Sequence, residues 1–234
     1  MYDHAIATLA LAEAAAMTGD KRYTEAARRG AAFIVAAQDP ESGGWRYVPH
    51  EFGDTSVFGW QVMALHACQK LGFEIPGRTR ELADDWIHLA TSGRRRMIAS
   101  YQPRRAPSPA MTAEMLYARM LLGQKLDDAD IKEATDFLVQ ARPDVHQPNV
   151  YYWYYGSLCM LQVQNDLWKR WNAQTRDALI ALQSKAGGAE GSWNADPKYG
   201  DRGGRVYMTS LALLTLEVYY RYDVVKPQEN GEVR

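Results

Sequence analysis

The sequence predicts an all-α protein, a curved or closed ring of helix pairs. Three observations predict it. Five alanine- and leucine-rich segments begin near Tyr2, Ser56, Ala110, Tyr151 and Val206, at intervals of 54, 54, 41 and 55 residues, a spacing suited to helix-pair repeats. Four more charged helical segments, Lys21 to Gln38, Pro76 to Ser92, Asp127 to Arg142 and Leu167 to Gln183, alternate with them. No alternating strand-like pattern of useful length interrupts the series.

The two kinds of segment predict two layers. The first segment, Ala5 to Met17, is apolar on nearly every face, so it is expected to be buried all round. The second, Arg22 to Gln38, is amphipathic: Tyr23, Ala26, Ala27, Ala31 and Ile34 can face inward while Lys21, Glu25 and Arg28 face water. An inner ring of apolar helices wrapped by an outer amphipathic ring satisfies both patterns. Gly19-Asp20 ends the first helix, Pro76-Gly77 opens the fourth, and Asp127 and Asp128 complement the dipole at the head of the sixth. The third helix opens on Asp54-Thr55-Ser56, an N-cap signal, the fifth near Ala110, the seventh near Tyr151 and the ninth near Val206. The long connections, Asp39 to Thr55, Gly93 to Pro109, Pro143 to Val150 and Ser184 to Arg205, all run from an outer helix to an inner one. They are therefore expected to gather at one end of the ring, where function usually sits.

The 234 residues, 47% hydrophobic and 24% charged, suffice for one buried core. A single domain over 1–223 is expected, excised from a longer protein and followed by a polar, disordered tail over 224–234. The net charge of −1 gives no pull toward nucleic acid. No apolar run reaches the roughly 20 residues of a membrane span, and Met1-Tyr2-Asp3-His4 is not a signal peptide, so the compartment is not read from this end. Cys68 and Cys159 fall in apolar segments and read as buried thiols. Two cysteines cannot make a disulfide framework or a four-thiolate zinc site, and no two histidines stand at i, i+4. No metal site and no cofactor is expected, and oligomeric state is not legible.

The stretch Arg29 to Gln38 followed by Gly43-Gly44-Trp45, with a looser copy in Leu179, Gln183 and Gly191-Ser192-Trp193, resembles the QW repeat of squalene cyclases and related prenyltransferases. In such a repeat the glutamine at an outer-helix C-terminus ties free carbonyls to the next loop, and the tryptophan packs back onto that helix. Together with Gly44 to Tyr47, Gly53 to Val57, Tyr151 to Tyr155 and Gly203 to Ala212, the chain more closely resembles bacterial, planctomycete-type prenyltransferase/squalene oxidase repeat proteins. The resemblance implies the α/α toroid of terpenoid cyclases and protein prenyltransferases. It also implies a central cavity that takes a hydrophobic ligand. The catalytic groups of those relatives are missing. The cyclase D-x-D-D-T acid motif falls on Glu51-Phe52-Gly53-Asp54-Thr55, with Gly53 in the proton-donor position. The histidine position of the prenyltransferase zinc site holds Met208. A thioester C-G-E-Q motif and the Cys/Cys/His zinc set of lanthionine cyclases are absent, and relatives have more helix pairs than the four and a half counted here.

The inner-helix heads supply the candidate ligand-binding residues: Tyr2, His4, Asp54, Trp60, Gln61, Tyr151, Tyr152, Trp153, Tyr155, Arg205 and Tyr207. Aromatic walls with a few polar groups suit a ligand pocket, by cation–π attraction or by stacking on a sugar. The same aromatics also suit core packing, although five in a row cannot all face one core. Asp54, Glu51 and His4 are the candidate acids and base. His66 and His88 read as structural. Arg94-Arg95-Arg96 with Arg104 and Arg105 form a basic loop, a solvated run or a site for a diphosphate or acidic partner. Four function readings stay open: a domain that binds a ligand or partner in its central cavity and lacks the catalytic groups, an enzyme acting on an isoprenoid or another hydrophobic substrate with Asp54 or Glu51 as acid, a carbohydrate-active or glycan-binding toroid using Trp45, Trp60, Trp193 and the tyrosines, and a protein-interaction scaffold. Carboxylates beside the aromatics would favour the glycan class, and a filled centre the scaffold.

Overall fold

The structure, a computed structural model, describes residues 1–196 and 198–221. The tail expected over 224–234 lies outside the described residues. Among the described residues there are nine α-helices: α1 (Tyr2–Thr18), α2 (Lys21–Ala36), α3 (Thr55–Gln69), α4 (Gly77–Ala90), α5 (Pro109–Leu121), α6 (Asp128–Leu138), α7 (Val150–Val163), α8 (Asp166–Leu182) and α9 (Gly200–Arg221). The expected boundaries hold because the caps are chemical. Asp20, Asp54, Ser108, Asn149 and Asn165 each accept a hydrogen bond from a first-turn backbone N–H, satisfying a donor the helix cannot. Asp127 and Asp130 form a reciprocal capping box, and Gly19 ends α1 in the left-handed region at φ 68°.

The odd-numbered helices pack in series, α1 on α3, α3 on α5, α5 on α7 and α7 on α9, and form the inner layer. Outside them, α2 lies on α1 and α3, α6 on α5 and α8 on α7. The α4 helix meets α3 through Trp86, whose ring lies 6.4 Å from that of Phe58. This is the all-α, toroid-like arrangement the alternation predicts. A short antiparallel ladder, β1 (Thr91–Ser92) with β2 (Ile98–Ala99), closes the α4–α5 loop. Two-residue strands carry no periodicity, so the sequence pattern does not announce them.

Burial follows position in the series. Every residue from Thr55 to Leu65 on α3, Ala110 to Ala118 on α5 and Val150 to Leu161 on α7 is buried. The expectation fails for α1. Its buried set is Ala5, Thr8, Leu9, Ala12 and Ala15, while Ile6 is 43% and Met17 86% exposed. An apolar sequence cannot bury a face that no neighbour covers, and the extensive packing of α1 is on α2 and α3. At the other end, α9 kinks at Gly204 (φ 66°), and Val206 is 79% exposed. The backbones of α1 and α9 do not pack along their lengths. Arg221 bridges them, pairing with Glu13 on α1 and with Glu217 one turn back on α9.

Both QW-like segments take the geometry expected of them. Gln38 Nε2 donates to the carbonyl of Gly43 at 2.8 Å and of Thr79 at 3.2 Å. The indole of Trp45 donates back to the carbonyl of Ile34 at 2.8 Å. In the second copy, Gln183 Nε2 donates to Gly191 O at 2.9 Å and the Trp193 indole to Leu179 O at 2.8 Å. Both indoles are buried. Each unit ties the end of an outer helix to the loop that leads inward. No helix among the described residues is long and apolar enough to cross a membrane.

Candidate functional site

Asp54 is the N-cap of α3 and is fully buried. Its Oδ1 accepts from the Val57 backbone N–H at 2.9 Å and the Ser56 hydroxyl at 2.8 Å. Its Oδ2 accepts from the Tyr101 hydroxyl at 2.9 Å and lies 3.6 Å from Arg46 Nε. Burial raises its pKa, and the hydrogen bonds and Arg46 oppose the rise. Glu51 pairs with the same arginine at 2.6 Å. Gly53, the residue expected to fall on the proton-donor position, has no room for an acid: a Cβ there would lie 2.8 Å from the Gly44 Cα and 3.0 Å from the Trp86 ring. His4 sits between α1 and α2, donates from Nε2 to the Gly30 carbonyl at 3.0 Å and packs on Phe33. It pairs with neither Asp3 nor Asp54.

The other candidates separate into two groups. Tyr2, Trp60, Gln61, Tyr151 and Tyr155 converge at the centre. The Tyr2 hydroxyl meets Ser56 Oγ. Trp60 stacks on Tyr154 at 5.9 Å and meets Tyr155 edge-on at 5.8 Å. Gln61 Nε2 donates to Met1 O at 3.1 Å. Tyr151 packs on Tyr155 at 5.2 Å and on Tyr199 at 5.8 Å, and half-buried Tyr207 has its pKa raised by burial first and then by Asp196, Tyr199 and Glu114. The rest point elsewhere. Tyr152 turns outward, donating to Leu138 O at 2.7 Å and packing edge-on against Trp171. Trp153, two residues from Tyr151, is buried on the opposite side of α7. Arg205 is exposed and holds Ser192 and Asn194 in the preceding loop.

The sequence reading missed the residue at the middle of the converging set. Glu114 on α5 is fully buried. Its Oε2 accepts from the Tyr151 hydroxyl at 2.8 Å. Oε1 and the Tyr155 hydroxyl form no aligned hydrogen bond, although Tyr155 lies close enough to stabilise the carboxylate. The carboxyl rests on the backbone of α3 at Gly59, where a Cβ would stand 2.2 Å from Oε1. Burial raises its pKa well above the carboxylate range, and the charge of Asp54 adds to the rise. One signal was available: Glu114 is the only acid in the thirteen residues of α5, and an unpaired acid in an apolar helix has to find a partner.

The open space lies at the other end. A cavity of about 620 Å³ sits between the C-terminal halves of α1, α3, α5 and α9. Its walls are Leu9, Ala12, Ala16, Met63, Ala67, Tyr117 and Leu121, and its rim carries Glu13, Met17, His66, Lys70, Glu217, Tyr220 and Arg221. None of the residues singled out at the helix heads lines it. Side-chain size explains the inversion. At the heads, Tyr2, Trp60, Tyr151, Tyr154 and Tyr155 fill the centre; at the tails, Ala12, Ala16 and Ala67 leave it empty. Glu114 stands one helical turn from Tyr117 on the same face of α5, so the packed end closes the cavity's inner wall. His66, read as structural, lies on the rim. Its Nδ1 faces the Leu121 carbonyl at 3.2 Å. Burial lowers its pKa, and the charges of Lys70 and Arg80 lower it further.

The basic loop is largely occupied by its own fold. Arg95 pairs with Asp127 and Asp130, and Arg96 donates to the carbonyls of His88 and Thr91. Among the described residues no group of three His, Cys, Asp or Glu side chains is placed to hold a metal ion. Cys68 and Cys159 are buried and unpaired. No protein-family model matches the chain, and neither a curated protein nor a solved structure matches it.

Proposed function

We propose that this chain is a ligand-binding domain of the terpenoid-cyclase/prenyltransferase toroid kind that holds an apolar small molecule between its inner helices without those relatives' catalytic groups. The observation that carries this is the cavity. Its 620 Å³ falls within the roughly 300–1,000 Å³ of small-molecule pockets, and its walls are aliphatic with a polar rim. The QW-like geometry of Gln38–Trp45 and Gln183–Trp193 supports the toroid kinship. Glu114 and Asp54 put carboxylates beside aromatics, as a glycan site would require, but Trp60, Tyr151 and Tyr155 are at most 8% exposed and offer no ring face to a sugar. The oxygens of Asp54 and the Glu51 carboxylate are already engaged, which speaks against either as a free acid.

Native mass spectrometry of the purified protein, with solvent extraction and gas chromatography of whatever is bound, tests the proposal. Bound apolar mass that disappears in Ala67→Trp, a variant that fills the cavity, is the expected result. An apo mass unchanged after incubation with squalene, prenyl diphosphates and dodecanol would overturn it.

A further inference from the structure

We propose, resting on the cavity reading above, that the hollow end of the ring docks on a zwitterionic lipid surface, with Met17, Tyr219 and Tyr220 dipping among the lipids, so that an apolar ligand passes between bilayer and cavity without crossing water.

The exposed apolar side chains argue for a docking surface. Met17 and Tyr220 are each 86% exposed, more than any other large apolar residue among those described, and Tyr219 is 62% exposed. They are not scattered. Met17 lies in the last turn of α1 and Tyr220 in the last turn of α9, and both stand on the rim of the cavity. Tyr219 meets Tyr220 edge-on, with ring centres 5.1 Å apart. Single exposed apolar residues are ordinary; a group of them around an opening marks a surface that meets a partner. The residue types suit lipid. A tyrosine buries its ring and keeps its hydroxyl at the level of the headgroups. An unbranched methionine adapts to fluid acyl chains. Lys70, exposed on the same rim, can lay its stem along the apolar surface and hold its charge in water.

The shape of this end argues for a bilayer as the partner. A stable protein interface needs a contiguous face of about 800 Å² on each side. Here the middle of the face is an opening, and the apolar groups stand around it on separate helix ends. A fluid surface conforms to such a rim. It is also the phase that holds an apolar molecule, because each methylene lowers the concentration free in water about fourfold. The rim decides the kind of lipid. Glu13 and Glu217 face one guanidinium, Arg221, and one ammonium, Lys70, so these charges cancel. Helices α1, α3, α5 and α9 all end at this surface, and their last carbonyls add partial negative charge. An anionic bilayer gains nothing from such a rim, and a zwitterionic one is not repelled by it. No helix among the described residues is long and apolar enough to cross a membrane, so the contact is with the surface.

Flotation of the protein with phosphatidylcholine vesicles loaded with squalene tests the proposal. The parent protein is expected to float and to carry squalene when it is separated from the vesicles. Met17→Glu combined with Tyr220→Glu, both at exposed positions, should lower the partition coefficient at least about tenfold. Val206→Glu, equally exposed in kind but at the head of α9, should leave it unchanged. Ala67→Trp, which fills the cavity from within, should float like the parent and carry no squalene, so docking and cavity are read separately. A parent that stays in solution, that floats only when phosphatidylglycerol is added, or that floats equally well after the double substitution would overturn the proposal and leave the cavity standing. So would light scattering that shows the double variant breaking a complex between copies of the chain, because the face would then belong to a protein contact. Flotation of the parent with no squalene recovered would overturn the cavity reading and leave the docking surface standing.

Discussion

Burial raises the Glu114 carboxyl well above the ordinary carboxylate range, and this has a cost that depends on pH. Below the unfolded-state pKa, near 4.3, both states hold the proton and no penalty arises. As pH rises past that value the unfolded chain ionises while the folded one does not, so stability falls with pH until the folded pKa is reached, with a slope of up to about 1.4 kcal/mol per pH unit. Glu114→Gln keeps an acceptor for the Tyr151 hydroxyl and removes the ionisation. It is expected to unfold at higher urea than the parent at neutral pH and to lose that advantage near pH 4. A parent curve that gains stability on going from pH 4 to 7 by the full extent of the variant's would contradict the buried, protonated acid. The gap at Gly59 belongs to the same contact. Gly59→Ala sets a methyl against Oε1 and is expected to destabilise by about 1–3 kcal/mol, as overpacking does, measured by urea denaturation.

At the scale of elements, the two Gln–Trp units do the same work in different pairs. Trp45 satisfies a carbonyl of α2 and Trp193 one of α8. Replacing either by Phe keeps most of the apolar volume but leaves a carbonyl without its donor at a buried site. Each change is expected to cost about 1–3 kcal/mol. The units share no partner, so Trp45→Phe and Trp193→Phe should add to within about 0.5 kcal/mol in the double variant. A large coupling in denaturant titrations would mean that the two loops communicate through the inner helices. The inner helices also differ among themselves. On α7, Tyr151 and Tyr155 face the centre, while Tyr152 anchors α6 and α8. The run of five aromatics is therefore a junction between layers.

The whole molecule is a series with two unlike edges and two unlike ends. Helices α3, α5 and α7 have neighbours on both sides, while α1 and α9 each leave a face exposed, with the Arg221–Glu13 pair spanning the gap. An ion pair with both partners partly exposed adds little, about 0–1 kcal/mol. Native-state hydrogen exchange is therefore expected to open α1 and α9 first and α3, α5 and α7 only near global unfolding. Uniform protection of all five inner helices would show that the edges are held as firmly as the middle. Along the other axis, the centre is packed with aromatics at the helix heads and hollow at their tails.

Much of this was legible along the chain. The alternation of apolar and amphipathic segments, the caps at Gly19, Asp54 and Asp127, and the pairing of Gln38 with Trp45 are local matters, settled by residues within a few turns of one another. They determined an all-α protein of helix pairs with two layers, and put nearly every helix where it is. What the tertiary structure alone decided depends on sums over residues far apart in sequence. Tyr151 reaches Glu114 from 37 residues away, so a lone acid in an apolar helix reads as an oddity until its partner arrives. The flank of α1 is exposed because no helix covers it, a fact about neighbours and not about α1. Loops gather at the helix heads as predicted, yet the cavity opens at the tails, because the volume left at each end is the difference between the space enclosed by four helices and the side chains that each contributes to it.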